Sequence, residues 1–296
     1  MRIGVDVGGT KIEAAALDGA GRIRLRRRVD TPRGEYEGTL HAIADLVASV
    51  AGETGEPCTI GIGIPGSLSP ETGLVRNANS VWLIGRPLSR DLERLLGQPI
   101  RFSNDANCFA LSEATDGAGA GAGVVFGVII GTGTGGGLVV HGRALDGRHR
   151  IAGEWGHNPL PWPEREEWPG PACYCGRTGC VETFLSGPGL ARDYHRRTGQ
   201  QADPAEIVRR AGAGEPAAGQ ALSTYEHRMA RALAVVINVL DPDVIVLGGG
   251  LSRIDRLYTN VPALWGPFVF CDRVTTPLVR AVHGDSSGVR GAAWLW

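Results

Sequence analysis

Apolar residues follow two rhythms along this chain of 296 residues. Short, nearly unbroken apolar runs at 2–7 (R-I-G-V-D-V), 12–17 (I-E-A-A-A-L) and 59–66 (T-I-G-I-G-I-P-G) predict strands covered on both faces. Residues 22–30 read as a third strand with an arginine-rich outer part, and 99–103 as a short one. Between these runs the spacing changes. Leu40, Ile43, Leu46, Val47 and Val50 recur at helical intervals, and further helices are predicted near 87–96, after Asp105, at 203–212 and at 216–240. F-L-S-G-P-G-L at 184–190 opens another helix, and an apolar helix closes the chain at about 287–296.

The informative repeat is strand, glycine turn, strand. It appears first at 2–17 around G-G-T-K (Gly8, Gly9, Thr10, Lys11). It returns at 124–140 around Gly131, Thr132, Gly133, Thr134 and Gly135. Two such units about 125 residues apart predict a duplicated α/β fold of two domains around a central cleft, with both turns facing it. G-A-G-A-G-A-G at 117–123 marks the boundary. This gives a small domain over 1–117, joined by the C-terminal helix at about 286–296, and a large domain over 118–285.

Each turn carries chemistry. Turns of this kind present backbone N–H groups and a threonine hydroxyl to phosphate, or they simply reverse the chain. Asp6 shifts that balance, because a carboxylate in an apolar strand is costly unless it is paired or faces a cation, here magnesium held through water. The fingerprint of a dinucleotide fold is absent, and the first turn leads into a strand rather than a helix. D-P-D-V-I-V-L-G-G-G at 241–250 ends in Gly248, Gly249 and Gly250, a turn suited to lie against an adenine or a ribose. Gly66 lets a loop lie against a ligand, and Asn79 is either a sugar contact or a turn cap. In F-S-N-D-A-N, Asn104 and Asp105 stand where a strand gives way to a helix, so Asp105 is either a helix cap or a general base.

The densest polar cluster is E-W-G-H, fifteen residues, then C-Y-C-G-R-T-G-C-V-E. His157, Cys173, Cys175 and Cys180 make a complete ligand set for a closed, structural zinc site. Gly176 and Gly179 allow the turn that gathers the sulfurs. The spacing is not that of a zinc finger, and no recognition helix follows. Glu154 and Glu182 bracket the cluster and stay free to grip a polyol.

Composition narrows the classes. A net charge of -1 gives no field for nucleic acid or an anionic membrane, and no long uncharged apolar run is present, so a cytoplasmic enzyme of small molecules is expected. Forty-five glycines suggest many close backbone approaches to ligand. The combined features describe one reaction. A nucleoside triphosphate and magnesium are held by Asp6 and the glycine turns, a polyol by amides and two glutamates, and Asp105 takes the hydroxyl proton during in-line transfer.

These motifs resemble the ROK sugar kinases along essentially the whole chain. D-V-G-G-T-K is similar to that family's first phosphate motif, G-T-G-T-G-G to its second, N-D-A-N to its catalytic segment and L-G-G-G-L to its nucleoside-side turn. The histidine–cysteine stretch resembles its zinc motif. The resemblance implies two ribonuclease-H-like domains, ATP, Mg2+ and structural Zn2+, a hexose phosphorylated at carbon 6, and a homodimer. It implies Asp105 as base, Asn79, Asn104, Glu154 and Glu182 on sugar hydroxyls, and His157 at both zinc and sugar. Within the family, N-A-N-S-V-W-L and G-E-W-G-H-N-P-L-P-W look most like bacterial fructokinases that also accept mannose. The expected activity is therefore fructose phosphorylation, with glucokinase or N-acetylhexosamine kinase as alternatives. A sugar-responsive repressor would carry a DNA-binding region before the first phosphate motif, for which residues 1–5 leave no room.

Overall fold

The computed structural model describes every residue from Met1 to Trp296. The chain forms two compact units. The first comprises Met1–Gly121, Gly137–Gly153 and Val282–Trp296; the second comprises Ala122–Gly136 and Glu154–Ala281.

In the first unit, β1 (Arg2–Val7), β2 (Lys11–Leu17), β3 (Ile23–Asp30), α1 (Tyr36–Thr54) and β4 (Thr59–Ile64) follow one another. A two-stranded hairpin, β5 (Ser67–Leu68) with β6 (Val75–Arg76), precedes α2 (Leu88–Leu96), β7 (Ile100–Asn104) and α3 (Asp105–Asp116). The sheet order is β3-β2-β1-β4-β7, antiparallel across its first three strands and parallel across the rest. The helical spacing of α1 buries Leu40, Ile43, Leu46, Val47 and Val50 in the same core as the apolar residues of β1 and β4.

Strand glycines set the other face. Gly4 and Gly61 are register partners on β1 and β4. A Cβ on Gly4 would lie 1.9 Å from Val289 O, and one on Gly61 1.8 Å from Ala292 O. The backbone of the last helix, introduced below, therefore rests directly on the strands, and a side chain at either position would force it off. Gly291 meets α3 in the same way, 1.6 Å from Cys108 O. These glycines serve helix packing, which corrects the expectation that the glycine excess marks ligand approach.

The second unit opens with β8 (Val124–Ile130). β9 (Thr134–Val140) starts within it and continues, with β10 (Arg143–Ala144), into residues of the first unit. Then come α4 (Val181–Leu185), α5 (Gly187–Thr198), α6 (Pro204–Gly212), α7 (Pro216–Leu240), β11 (Val244–Gly248), α8 (Leu257–Leu264) and β12 (Leu278–Arg280). The chain ends in α9 (Ser287–Ala293) of the first unit. The second sheet, β10-β9-β8-β11-β12, repeats the strand order of the first, with β8, β11 and β12 parallel. This is the duplicated ribonuclease-H-like fold. Residues 184–190 do not open a single helix. The chain breaks at Ser186, whose extended backbone ends α4 and whose Oγ accepts the Gly189 amide to start α5.

Glu113 of α3 ties together three segments of the first unit. Its buried carboxylate accepts the amides of Ala118 (3.0 Å), Val282 (3.0 Å) and His283 (3.1 Å), and the Ser287 hydroxyl (2.8 Å). Burial pushes this carboxyl up, but the four donors outweigh burial and hold it below the ordinary 4.5. The charged form is thus favoured in the folded chain. Its contribution is complete at neutral pH and is lost as pH falls through the folded value. Glu113→Ala leaves these buried donors unpaired and is expected to cost about 3 kcal/mol, read as a lower urea midpoint at pH 7. The deficit should shrink below pH 4, and an unchanged midpoint at pH 7 would refute this role.

Candidate active site

The E-W-G-H turn of the second unit is mounted on the glycine loop. Gly156 is obligatory there: a Cβ would stand 2.0 Å from Thr134 O. The buried indole of Trp155 donates from Nε1 to Gly135 O at 3.0 Å and meets Phe126 edge-on, ring centroids 5.9 Å apart. Glu154 and His157 flank this anchored pair. From the first turn of α4, Glu182 Oε2 accepts the Thr134 amide at 3.0 Å, and it would lie 2.7 Å from a Cβ on Gly133. The carboxylates assigned to a polyol and the loop assigned to phosphate therefore share one frame. Packing around Glu154 raises its carboxyl above the ordinary range; Glu182 adds in the same direction and His157 opposes.

Three glycine segments meet at the ends of the second unit's strands. Gly131 donates to Gly133 O at 2.9 Å and accepts the Gly187 amide at 2.7 Å. Gly249 has φ +82° and packs so closely on β8 that a Cβ would lie 2.4 Å from Ile130 O. Gly248 closes β11, and Gly250 begins the short turn after it. Thr132 is exposed, whereas Thr134 is buried with no partner for its hydroxyl, an orphaned donor that fits a phosphate oxygen.

The four metal-ligand candidates converge. Their ligand atoms lie within 4.8 Å of one another, with Cys173 Sγ 3.6 Å from His157 Nδ1 and Cys175 Sγ 3.6 Å from Cys180 Sγ. Zinc–sulfur bonds of roughly 2.3 Å require ligand separations of about 3.8 Å in a tetrahedron, so the donor set and its spacing fit zinc. The knuckle is shaped by left-handed Gly176 (φ 88°) and Gly179 (φ 70°) and by the Cys173 amide, which donates to Arg177 O at 2.7 Å. Burial drives the Cys180 thiol up to about 12, with Cys175 and Cys173 adding to it, a cost that a dication coordinating the thiolate removes. Sequence reasoning missed Tyr174. Its hydroxyl meets His157 Nε2 at 3.0 Å, with the rings edge to face, so it fixes the imidazole orientation on the side away from the sulfurs. Its position between two cysteines was the available signal.

The first unit holds the remaining candidates. Asn104 is the N-cap of α3, its Oδ1 accepting the Ala106 amide at 2.9 Å while Nδ2 donates to Gly66 O at 3.0 Å. Asp105, the first residue of the helix, also accepts the Ala106 amide at 2.8 Å. Gly66 has φ +76° and lies against the 76–78 backbone, 2.3 Å from Arg76 O at its Cβ position. Asn79 is exposed, and its carbonyl accepts the Val81 amide at 3.0 Å. In the first turn, the Gly8 amide donates to Lys11 O at 2.9 Å and the Thr31 hydroxyl to Gly8 O at 2.8 Å; Gly9, Thr10 and Lys11 are exposed. Asp6 lies against the start of α9, 2.7 Å from a Cβ on Gly288. Burial, then Asp105, then Glu13 raise it from 3.8 to about 7, against Arg28. Such a crowded carboxylate fits a site for a dication. Asp146 was also missed. Its Oδ1 accepts from Ser103 Oγ and Asn107 Nδ2, both at 3.2 Å, in a small cavity lined as well by Asn104 and Arg150.

The family model described as ROK matches residues 2–296. The chain is 39% identical to an N-acetyl-D-glucosamine kinase of Pectobacterium atrosepticum, across 100% of this chain and 98% of that protein. It is 38% identical to one of Shigella boydii, across 100% and 99%. Among solved structures it is similar to a ROK hexokinase from Thermus thermophilus, with a TM-score of 0.87 and 33% identity over 99% of this chain and 97% of that one. It is also similar to a ROK glucokinase from Streptomyces griseus in complex with glucose and AMPPNP, with a TM-score of 0.79 and 29% identity over 99% and 97%. The expected likeness to fructokinases is overturned, because the relatives matched along their whole length at 38–39% identity bear the N-acetyl-D-glucosamine kinase name. The short motifs that suggested fructose, such as N-A-N-S-V-W-L and E-W-G-H, shape the backbone frame just described.

Cys175→Ser should lower zinc, measured by elemental analysis, from one equivalent per chain to well under half. Solubility should fall with it, because structural zinc contributes directly to folding. Full zinc occupancy in the variant would remove Cys175 from the ligand set.

Proposed function

The chain belongs to the ROK family, and from that premise we propose that it is an ATP-dependent N-acetylhexosamine kinase, acting on the 6-hydroxyl of N-acetyl-D-glucosamine. The observation that carries the substrate assignment is whole-length identity of 38–39% to kinases of that name. The geometry supports the chemistry. Asp105, at a strand-to-helix junction, accepts the proton of the attacking hydroxyl. Asn104, with its side chain already fastened to Gly66 O and the Ala106 amide, is a rigid contact for a sugar hydroxyl, and Gly66 and Asn79 flank it. Glu154 and Glu182 present further acceptors to the sugar, and the His157 ring, with Nδ1 beside Cys173 Sγ and Nε2 on the Tyr174 hydroxyl, lines the same wall.

The glycine loop Gly131–Gly135, with the Thr134 hydroxyl, binds phosphate oxygens, as do the amides of Gly9 and Thr10 beside Lys11, in a turn that Gly8 closes by donating to Lys11 O. Gly248–Gly250 lies along the nucleoside. Asp6 would hold magnesium through water, and the ion would supply charge neutralisation for the transferring phosphate. Catalysis in this reading comes from positioning and charge neutralisation, with no covalent intermediate on the enzyme. Zinc at His157, Cys173, Cys175 and Cys180 braces the wall and takes no part in the transfer. The chain acts as a homodimer.

An ADP-release assay with N-acetylglucosamine, glucose, mannose and fructose side by side tests the substrate. N-acetylglucosamine is expected to lead in kcat/KM by at least about tenfold, within reach of a few well-placed contacts; glucose or fructose in the lead refutes the assignment. Asp105→Asn should reduce kcat by at least about 10²-fold with zinc content unchanged; near-normal turnover would remove it as base. For Asp6, proton and cation compete for one carboxylate that titrates near 7. Binding of Mn2+, used as a spectroscopic stand-in for magnesium, should therefore weaken roughly tenfold from pH 8 to pH 6. Asp6→Asn should abolish that dependence, and a pH-independent affinity in the unmodified chain would contradict it.

A further inference from the structure

A second concave site lies on the second unit, away from the glycine loop. Its cavity of about 310 Å³ is lined by Trp168, Phe184, Arg192, Asp193, Arg196 and Arg228, with Glu166 at its edge. That volume is at the lower end of small-molecule sites, roughly 300–1,000 Å³. α4 separates it from the candidate active site: Glu182 meets the glycine loop, while Phe184, two residues on, faces this cavity.

Its charge is unbalanced in an informative way. Its lining carries three arginines, Arg192, Arg196 and Arg228, against Asp193 and the exposed Glu166, and behind it lie Glu167, Arg197 and Arg231; the two buried carboxylates, Asp193 and Glu167, are already engaged. Glu167 accepts from Arg228 at 2.7 Å and from Arg231 at 2.8 Å. Asp193 accepts from Arg196 at 2.8 Å and Arg197 at 3.1 Å, with Arg228 at 3.5 Å. Arg192 donates to a carbonyl, Thr183 O, rather than to a carboxylate. Arg228 is only 4% exposed, and its guanidinium lies 5.0 Å above the Phe184 ring. Guanidinium groups stay protonated under all ordinary conditions, so the surplus positive charge is permanent and favours an oxyanion. Burial, then Arg228, hold Arg192 below its ordinary value, the direction expected of a cation short of counter-charge. Trp168 is 73% exposed and offers an apolar face at the same opening. Aromatic faces of this kind take up planar groups and the C–H face of a sugar ring.

We infer that this pocket binds a phosphorylated sugar, with the phosphate between Arg192 and Arg196 and the ring against Trp168. The site is separate from the catalytic residues and does not depend on the kinase reading for its geometry. The test is calorimetric titration of the full chain with glucose 6-phosphate, N-acetylglucosamine 6-phosphate and inorganic phosphate. Saturating N-acetylglucosamine is present throughout, to occupy the proposed acceptor site. Either sugar phosphate should bind at least about tenfold more tightly than inorganic phosphate. Arg192→Ala combined with Arg196→Ala should weaken it at least about tenfold, with the circular dichroism spectrum and the rate of sugar phosphorylation unchanged. Trp168→Ala should bring the sugar phosphate down to the affinity of phosphate alone. No binding, binding indifferent to the arginine variant, or phosphate binding as tightly as the sugar phosphates would overturn the inference. If the chain binds sugar phosphate in this way yet phosphorylates no hexose, the pocket stands and the kinase proposal falls.

Discussion

One close approach governs the second unit: the backbone of Gly156 against the carbonyl of Thr134, at a distance that admits no side chain. Around it, Trp155 is fastened to Gly135 O and Glu182 to the Thr134 amide. A loop of small residues would otherwise be free to take many conformations, and ordering it would cost entropy each time a phosphate bound. Here that cost is met in folding. The same contacts fix Glu154, His157 and Glu182 relative to the loop, so the groups proposed for sugar and those proposed for phosphate in this unit are set by one piece of backbone.

Two further constraints reinforce the frame. The cluster of His157, Cys173, Cys175 and Cys180 gathers the 157–180 segment into a knuckle whose first residue, His157, also belongs to the anchored turn. Behind it, Glu167 is buried with Arg228 and Arg231 of α7. Breaking such a buried pair is costly even though forming it adds little net stability, so it specifies where the 158–172 spacer must lie. In the first unit the equivalent role falls to glycines of β1 and β4, which let α9 sit on the sheet, and to Glu113.

Much of this was legible in the chain itself. The two strand-turn-strand repeats, the unbroken apolar strand at 59–64 and the long α7 follow directly from apolar spacing, as does the gathering of His157 and three cysteines from ligand chemistry. Other features were hidden for physical reasons. A glycine in a strand announces a close approach but not the approaching group, so the glycine excess was read as ligand approach, whereas at Gly4 and Gly61 it is helix backbone that lies against the strands. Asp146 and Tyr174 lie in segments with no periodicity, where contacts depend on chain paths that local spacing does not encode. The break at Ser186 is set by the Gly187 amide reaching Gly131 O, a contact across more than fifty residues. Sugar identity was misread because motif likeness reports the shared frame, whereas discrimination at carbon 2 depends on pocket shape built from several segments.

The most direct measurement of the shared frame is steady-state kinetics of Glu182→Ala with both substrates varied. If one carboxylate sets the phosphate loop and grips the sugar, KM should rise for ATP and for N-acetylglucosamine alike, each by at least about tenfold, as expected for loss of a charged hydrogen bond. A rise confined to one substrate, or to neither, would contradict the account.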